Sequence, residues 1–313
     1  MNVKLEYYCN QYIEFERQDI HHILGSNYHV KDQLFQACQY FNKQQKIAIH
    51  EDELFGLDGI NFYIDEKELT NKNSLIITID SIYDLIDELS LKKGTTCYQY
   101  MKSKVSGEIV IGKQYEQLQN ALFLLENIVS EQLLKDTFLS YHAKTYSLFD
   151  FLKLGEISLD SYDIKYGRYD RVIDAFIMML SYLLEQQSRP IIIMMRHLNS
   201  FLSLDMEKKL IQQLKELGSK YQHLITLIIN NGEQLFISQY ESEQLLYINS
   251  FEMQQLPDFE LIKKSVMLRY PIEYKKTDDE LIRDLNYYLP QLSLEYIHHR
   301  VIIYEVLKGL LES

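Results

Sequence analysis

Three short aliphatic runs, rich in β-branched residues, punctuate the chain: SLIITID from Ser74 to Asp80, RPIIIMM from Arg189 to Met195, and HLITLII from His223 to Ile229. Each is bounded by polar residues and too short for a helix, which predicts buried strands. Pro190 is acceptable where it falls, at a strand start. Between the second and third runs, SLDMEKKLIQQLKELGSKY places Met206, Leu210, Leu214 and Leu217 at helical spacing. Ser203 is its expected N-cap, acids occupy its first turn, and Gly218 is its expected stop. A strand, a helix and a strand joined by a crossover of this length favour a parallel sheet. QLLYIN, from Gln244 to Asn249, reads as a final strand.

The middle of the chain has a different period. EQLQNALFLLENIVSEQLL sets Leu118, Leu122, Leu125 and Val129 on one helical face, and YDRVIDAFIMMLSYLLEQQ does the same with Val172, Phe176, Leu180 and Leu183. Both stripes are expected to pack into a core rather than to hold a cofactor. The predicted organisation is an α/β head from residues 1–90 and 186–250, a helical insertion at 91–185, and a mostly helical C-terminal extension at 251–313. No internal repeat, low-complexity tract or Gly/Ser linker interrupts it.

Composition adds limits. The chain has 313 residues, of which 46% are hydrophobic, enough for a substantial core. A formal charge of −13 gives no whole-molecule attraction for phosphate polymers or anionic lipid, so any nucleic-acid binding has to come from a local basic surface. Cys9, Cys38 and Cys97 are odd in number and lack C-x-x-C spacing, which speaks against a disulfide framework or a zinc site. MNVKLEYYCN has no signal-like apolar core, and the apolar run at Ile191 to Met195 is far too short to span a bilayer. The expectation is a soluble cytoplasmic protein without a membrane partner.

The stretch ILGSNYHVKDQLF, Ile23 to Phe35, carries the first candidate chemistry. A working phosphate loop reads G-x-x-x-x-G-K-[ST], with glycines for close backbone approach, a lysine for phosphate charge, and a hydroxyl for magnesium. Gly25 and Lys31 stand at that spacing, but Val30 replaces the second glycine and Asp32 the hydroxyl residue. A β-branched residue resists positive φ, and a carboxylate faces phosphate with like charge. At ~4 Å and an effective dielectric of about 20, each such repulsion costs about 4 kcal/mol. The strand ending IIIMMRHLN offers Arg196 and His197 where a magnesium-holding acidic pair is wanted. Asp80 is the remaining carboxylate at a strand end, although capping the helix SIYDLIDEL is its simpler role. The loop is degenerate, and ATP turnover is not expected.

The order of LGSNYHVKD, LIITID, a helical insertion and RPIIIMMRHLNSFLSLDMEKKLIQQLKELGSKYQHLITLIINN resembles the type II-A CRISPR adaptation proteins of the Csn-two family, over roughly residues 15–250. This resemblance implies a non-catalytic ABC-ATPase-like head with a helical leg, assembled as a ring-shaped homotetramer on double-stranded DNA with a preference for free ends. It implies a part in spacer acquisition alongside the integrase proteins and the effector nuclease, and the extension places the chain in the longer branch. Shorter members bind calcium through an acidic stretch before a leg helix. The corresponding FLSYHAKTYSLFDFLKL has no carboxylate before Asp150, too little for a cation that takes six to eight oxygens.

Duplex binding needs lysines and arginines that displace counterions. Lys92, Lys93, Lys102, Lys104 and Lys113 form the densest basic interval, with Lys135 and Lys144 further along. They are expected to line the ring, and charge reversal at Lys102 and Lys104 is expected to abolish binding without unfolding. No recognition helix is evident, so sequence readout is not expected. The pairs His21-His22 and His298-His299 are poor metal candidates, because adjacent residues on a helix diverge by about a quarter turn. Cys38 is expected to be a buried small residue, and KKTDDE, Lys275 to Glu280, a solvated helix start. Two alternatives remain: an ATP-binding or weakly hydrolysing relative using Lys31 and Asp80, and a scaffold that binds only proteins.

Overall fold

The computed structural model describes residues 1–43, 60–105, 109–135, 141–144, 146–155, 157–159, 162–163, 168–232, 235, 237–238, 240–249, 252–269, 277–293 and 307. In chain order, the strands are β1 (Asn2–Tyr8), β2 (Gln11–Glu16), β3 (His21–Leu24), β4 (Phe62–Ile64), β5 (Lys67–Glu68), β6 (Leu75–Ile79), β7 (Ser158–Leu159), β8 (Tyr162–Asp163), β9 (Ile191–Arg196), β10 (Leu224–Ile229), β11 (Leu245–Asn249) and β12 (Glu252–Gln255). The α-helices are α1 (Tyr28–Lys43), α2 (Ile82–Glu88), α3 (Thr96–Val105), α4 (Ile109–Ile128), α5 (Leu148–Leu152), α6 (Tyr169–Gln186), α7 (Leu204–Lys220), α8 (Phe259–Arg269) and α9 (Asp278–Tyr288). No helix among the described residues is long and apolar enough to cross a membrane. Two compact units result, one from Met1–Leu85 with Leu184–Ser313 and one from Ile86–Leu183.

The first unit is a mixed α/β body. Its main sheet has the order β12-β11-β3-β10-β9-β6, with parallel pairing throughout except at the β12 edge. Every residue of β10 is buried, as is all of β9 but Arg196, the pattern of parallel strands covered on both faces. One core cluster joins Ile23, Ile192, Met194, Ile225 and Leu227 to Val30, Leu34 and Phe35 of α1, and to Val3, Leu5, Ile13 and Phe15 of a second sheet. That antiparallel sheet, β2-β1-β4-β5, is not anticipated by the sequence pattern. Asn10 (φ 58°) turns β1 into β2, and Asp65 and Glu66 (φ 46° and 66°) form the two-residue turn from β4 to β5, a hairpin that needs two positive φ values.

A second cluster packs Leu24, Leu245 and Tyr247 against Phe259, Ile262, Leu281 and Leu285 of α8 and α9. β12 therefore extends the sheet beyond the strand expected to be last, and the described part of the extension is built onto it. α9 starts at the expected place, where Thr277 and Glu280 form a reciprocal capping box. Ser203 caps α7 as expected by accepting from the Met206 N–H at 3.4 Å. Gly218 does not stop that helix, which continues to Lys220. Its role is close approach, since a Cβ there would lie 2.1 Å from the Asp19 carbonyl oxygen.

The second unit holds α3, α4, α5 and the short β7–β8 hairpin, with most of α6. The α6 stripe is buried as expected: Val172, Phe176, Leu180 and Leu183 are fully covered. The α4 stripe is not. Leu118 and Leu122 are half-buried, while Phe123, Leu124, Leu125 and Ile128 are exposed, and the helix passes into a π-helical turn at Val129–Leu133. Helical period reports which residues share a face, and not whether that face is covered.

Candidate functional site

The carboxyl ends of β3, β6, β9 and β10 converge on one edge of the parallel sheet, the usual place for a ligand crevice in open α/β folds. The turn from β3 into α1 is short. Gly25 takes φ +112°, and a Cβ on it would meet the Ile248 carbonyl oxygen at 2.0 Å, so this position needs glycine twice over. Asn27 caps α1 by accepting from the Val30 N–H at 3.1 Å. Val30 thus lies inside the first helical turn, buried in the core, and the positive φ expected of its place in a phosphate loop does not arise.

Lys31 points inward. It is 2% exposed, its ammonium donates to the Asn230 carbonyl at 3.0 Å, and it lies 4.5 Å from the centre of the Tyr28 ring. An ammonium at such burial has to be met by oxygen, and the end of β10 supplies it.

Asp32, one residue on, faces Arg196 at the end of β9. The Arg196 fork donates from Nη1 to Asp32 Oδ1 at 2.5 Å and from Nη2 to Asp80 Oδ2 at 2.8 Å, with its guanidinium carbon 4.0 Å from the centre of the Phe35 ring. Asp80 also accepts from His197 Nδ1 at 2.7 Å, and the Asn231 amide meets His197 Nε2 at 3.3 Å. A proton on His197 Nδ1 satisfies both contacts. His197 has a left-handed backbone (φ 55°), a conformation uncommon outside glycine, which sets it beside Asp80. Burial alone would push the Asp80 carboxyl up, but the hydrogen bonds from Arg196 and His197 and the Arg196 charge outweigh it and hold the group below its ordinary value. The same pairs raise Arg196 against the opposing pull of its burial.

Asp80 therefore does not cap α2. Asp84, in the first turn of α2, reaches back instead, its Oδ2 accepting from the Asp80 N–H at 2.9 Å and the Ser81 N–H at 2.8 Å just before the helix. The structure brings together Lys31, Asp32, Asp80, Arg196 and His197, all singled out in the sequence, and adds Asn230 and Asn231. The two asparagines directly follow an apolar strand, which is the only signal for them in the sequence.

The seven lysines proposed from sequence all belong to the second unit and are exposed. Lys92 precedes α3 and pairs with Asp87 at 2.8 Å; Lys93 is its neighbour. Lys102 and Lys104 lie in the last turn of α3, Lys113 is on α4, and Lys135 and Lys144 follow that helix. Lys104 sits 4.2 Å from the centre of the Tyr182 ring and 5.8 Å from that of Tyr100. Its charge is thus also part of the α3–α6 contact.

His21 and His22 lie on β3, not on a helix, and both are buried. Burial lowers His21 to about 3, aided by His22, and lowers His22 to about 4, aided by Lys215. His298 and His299 fall outside the described residues. Cys38 is buried in α1, and burial pushes its thiol up, as befits a packing residue. In the leg segment compared with a calcium site, residues 138–140 and 145 fall outside the described residues; Asp150 pairs with Lys153 at 2.5 Å. Among the described residues no group of three or more His, Cys, Asp or Glu side chains is placed to hold a metal ion.

The family model for CRISPR-associated protein Csn2, subfamily St, matches residues 5–302. The chain belongs to the Csn2 family. Membership supports a role in CRISPR adaptation. Among solved structures, Stu0660 of Streptococcus thermophilus superposes with a TM-score of 0.81 at 20% identity, covering 99% of this chain and 93% of that one, so the two share a fold. MJ1267, an ATP-binding cassette of an ABC transporter in its ADP conformation, gives 0.40 at 13% identity over 87% of this chain and 97% of that one. CbiO1 from Clostridium perfringens, part of the ABC transporter complex cbiONQ, gives 0.38 at 12% over 93% and 96%. At those scores neither carries weight for this Csn2 chain. No curated protein matches it by sequence.

Proposed function

We propose that this Csn2-family protein is a non-catalytic ring, a homotetramer that encircles double-stranded DNA, favours its free ends, and acts in the cytoplasm with the integrase proteins and the effector nuclease during spacer acquisition. The observation that carries the reading is the family match across residues 5–302. In this view residues 1–90 and 186–250 are an ATPase-like head whose β3–α1 turn is a degenerate phosphate loop, residues 91–185 are a leg, and residues 251–313 are an appended module. Supporting the loss of nucleotide chemistry, Lys31 is committed to Asn230 and the strand-end cation is Arg196. Supporting the DNA contact, the exposed lysines cluster in the second unit of a chain that is acidic as a whole. A calcium site built from FLSYHAKTYSLFDFLKL alone has no place in this reading, since that stretch holds no carboxylate before Asp150.

The test compares a linear duplex with the same sequence as a covalently closed circle, at several salt concentrations and without nucleotide. Preference for the linear form, with log affinity falling by about 0.9 per neutralised phosphate per log unit of salt, is expected. Equal binding to both forms overturns threading. Tight binding to adaptation proteins without salt-sensitive DNA binding would instead make the protein a scaffold. Lys102→Glu with Lys113→Glu is the cleaner charge reversal, because Lys104 also packs on Tyr182; it is expected to flatten the salt slope and leave the melting temperature within about 2 °C. Unchanged affinity would remove these lysines from the interface.

A further inference from the structure

We propose that the Arg196 guanidinium is a built-in cation, standing between Asp32 and Asp80 in the place a divalent metal takes in a working phosphate-loop site. The inference rests on reading the β3–α1 turn as a degenerate phosphate loop. In a working site, the hydroxyl after the loop lysine and a strand-end carboxylate both direct oxygen toward magnesium. The signs here are reversed. The residue after Lys31 is an anion, Asp32, and the end of β9 is a cation, Arg196.

The geometry is that of a bridging cation. Nη1 reaches Asp32 at 2.5 Å, Nη2 reaches Asp80 at 2.8 Å, and the Phe35 ring lies 4.0 Å from the guanidinium carbon. The side chain is 19% exposed, so the pairs are partly shielded from solvent screening. The guanidinium fork suits two carboxylates on different elements better than an ammonium would, and stacking on the ring fixes its plane. Asp80 is further held by His197, itself met by Asn231, so the anchoring carboxylate cannot swing away without breaking a second contact. The neighbouring cation, Lys31, is turned to the Asn230 carbonyl. The groups that would receive a metal and phosphates are thus each matched by another side chain or a carbonyl. The crevice ties α1, β6, β9 and β10 together by internal charge, with no requirement for nucleotide.

Removing the guanidinium should leave two carboxylates facing a vacated space, which a small divalent ion fits by charge. Melting temperatures of the full chain are measured with MgCl2 and with KCl of equal ionic strength. Wild type is expected to show no difference between the two salts. Arg196→Ala is expected to melt lower and to regain about 3–6 °C at ten times the half-saturating magnesium concentration. Millimolar methylguanidinium should restore it in the same way, and Arg196→Ala with Asp32→Asn should lose the magnesium response. If the alanine variant does not fold, Arg196→Gln reads the same response with most of the volume retained. A variant that answers to neither magnesium nor methylguanidinium overturns the inference. A wild-type gain with ATP and magnesium would instead overturn the degenerate-loop reading on which it rests.

Discussion

Lys31 is where nucleotide binding and a purely structural role predict opposite results. In a working phosphate loop the lysine waits for phosphate, and its loss abolishes ligand binding while sparing the fold. Here the side chain is 2% exposed and donates to the Asn230 carbonyl at 3.0 Å. Lys31→Ala removes three buried methylenes, about 2.4 kcal/mol at ~0.8 kcal/mol each. It also removes a charge-assisted hydrogen bond worth about 1.5–3 kcal/mol, partly offset because no ammonium then has to be taken from water. Lys31→Met restores the apolar stem and not the bond, so the two variants should differ by about 2 kcal/mol. For a unit of this size that is a separation of about 4–8 °C in melting temperature, with wild type highest and alanine lowest. Far-ultraviolet circular dichroism melts, with and without ATP and magnesium, make the measurement. An alanine variant that melts with wild type would refute the inward packing. A wild-type gain with ATP that the alanine variant lacks would show the ammonium leaving Asn230 to meet phosphate.

Two further outcomes follow from the same strand and turn. His21 and His22, lowered to about 3 and about 4 in the fold, are neutral in both states above pH 6.5 and contribute nothing to pH dependence there. Below that pH the unfolded chain takes up protons that the folded one refuses, so stability should fall by about 1.4 kcal/mol per pH unit for each histidine down to about pH 4. Denaturant midpoints between pH 7.5 and 5.5 check this, and His22→Gln should reduce the slope without removing it, since His21 and His223, also lowered by burial, act in the same direction; a flat profile would mean the imidazoles are not buried neutral. Gly25→Ala places a methyl group 2.0 Å from the Ile248 carbonyl oxygen at φ +112° and should cost at least about 3 kcal/mol, seen as lost soluble yield or a melting temperature lower by about 6 °C or more.

What the sequence determines by itself is whatever depends on near neighbours. β6, β9 and β10 are legible because continuous burial on both faces leaves runs of Ile, Leu and Met, and α7 because Ser203 and the Leu210–Leu214 spacing act within a few residues. β3 is hidden, since four residues containing two histidines carry no strand signal, and in the β2-β1-β4-β5 sheet the pairing of β1 with β4 is hidden because it crosses an intervening segment. Damage to the phosphate loop could be read from Val30 and Asp32, but the reason it is self-consistent could not. Only the tertiary structure places Arg196 between Asp32 and Asp80, because ion pairs between residues 164 and 116 positions apart depend on which strands lie side by side. Coverage is decided at the same level: the α4 and α6 stripes have the same period, yet Phe176 is buried and Leu125 is exposed, because burial belongs to the surface a helix meets and not to the helix.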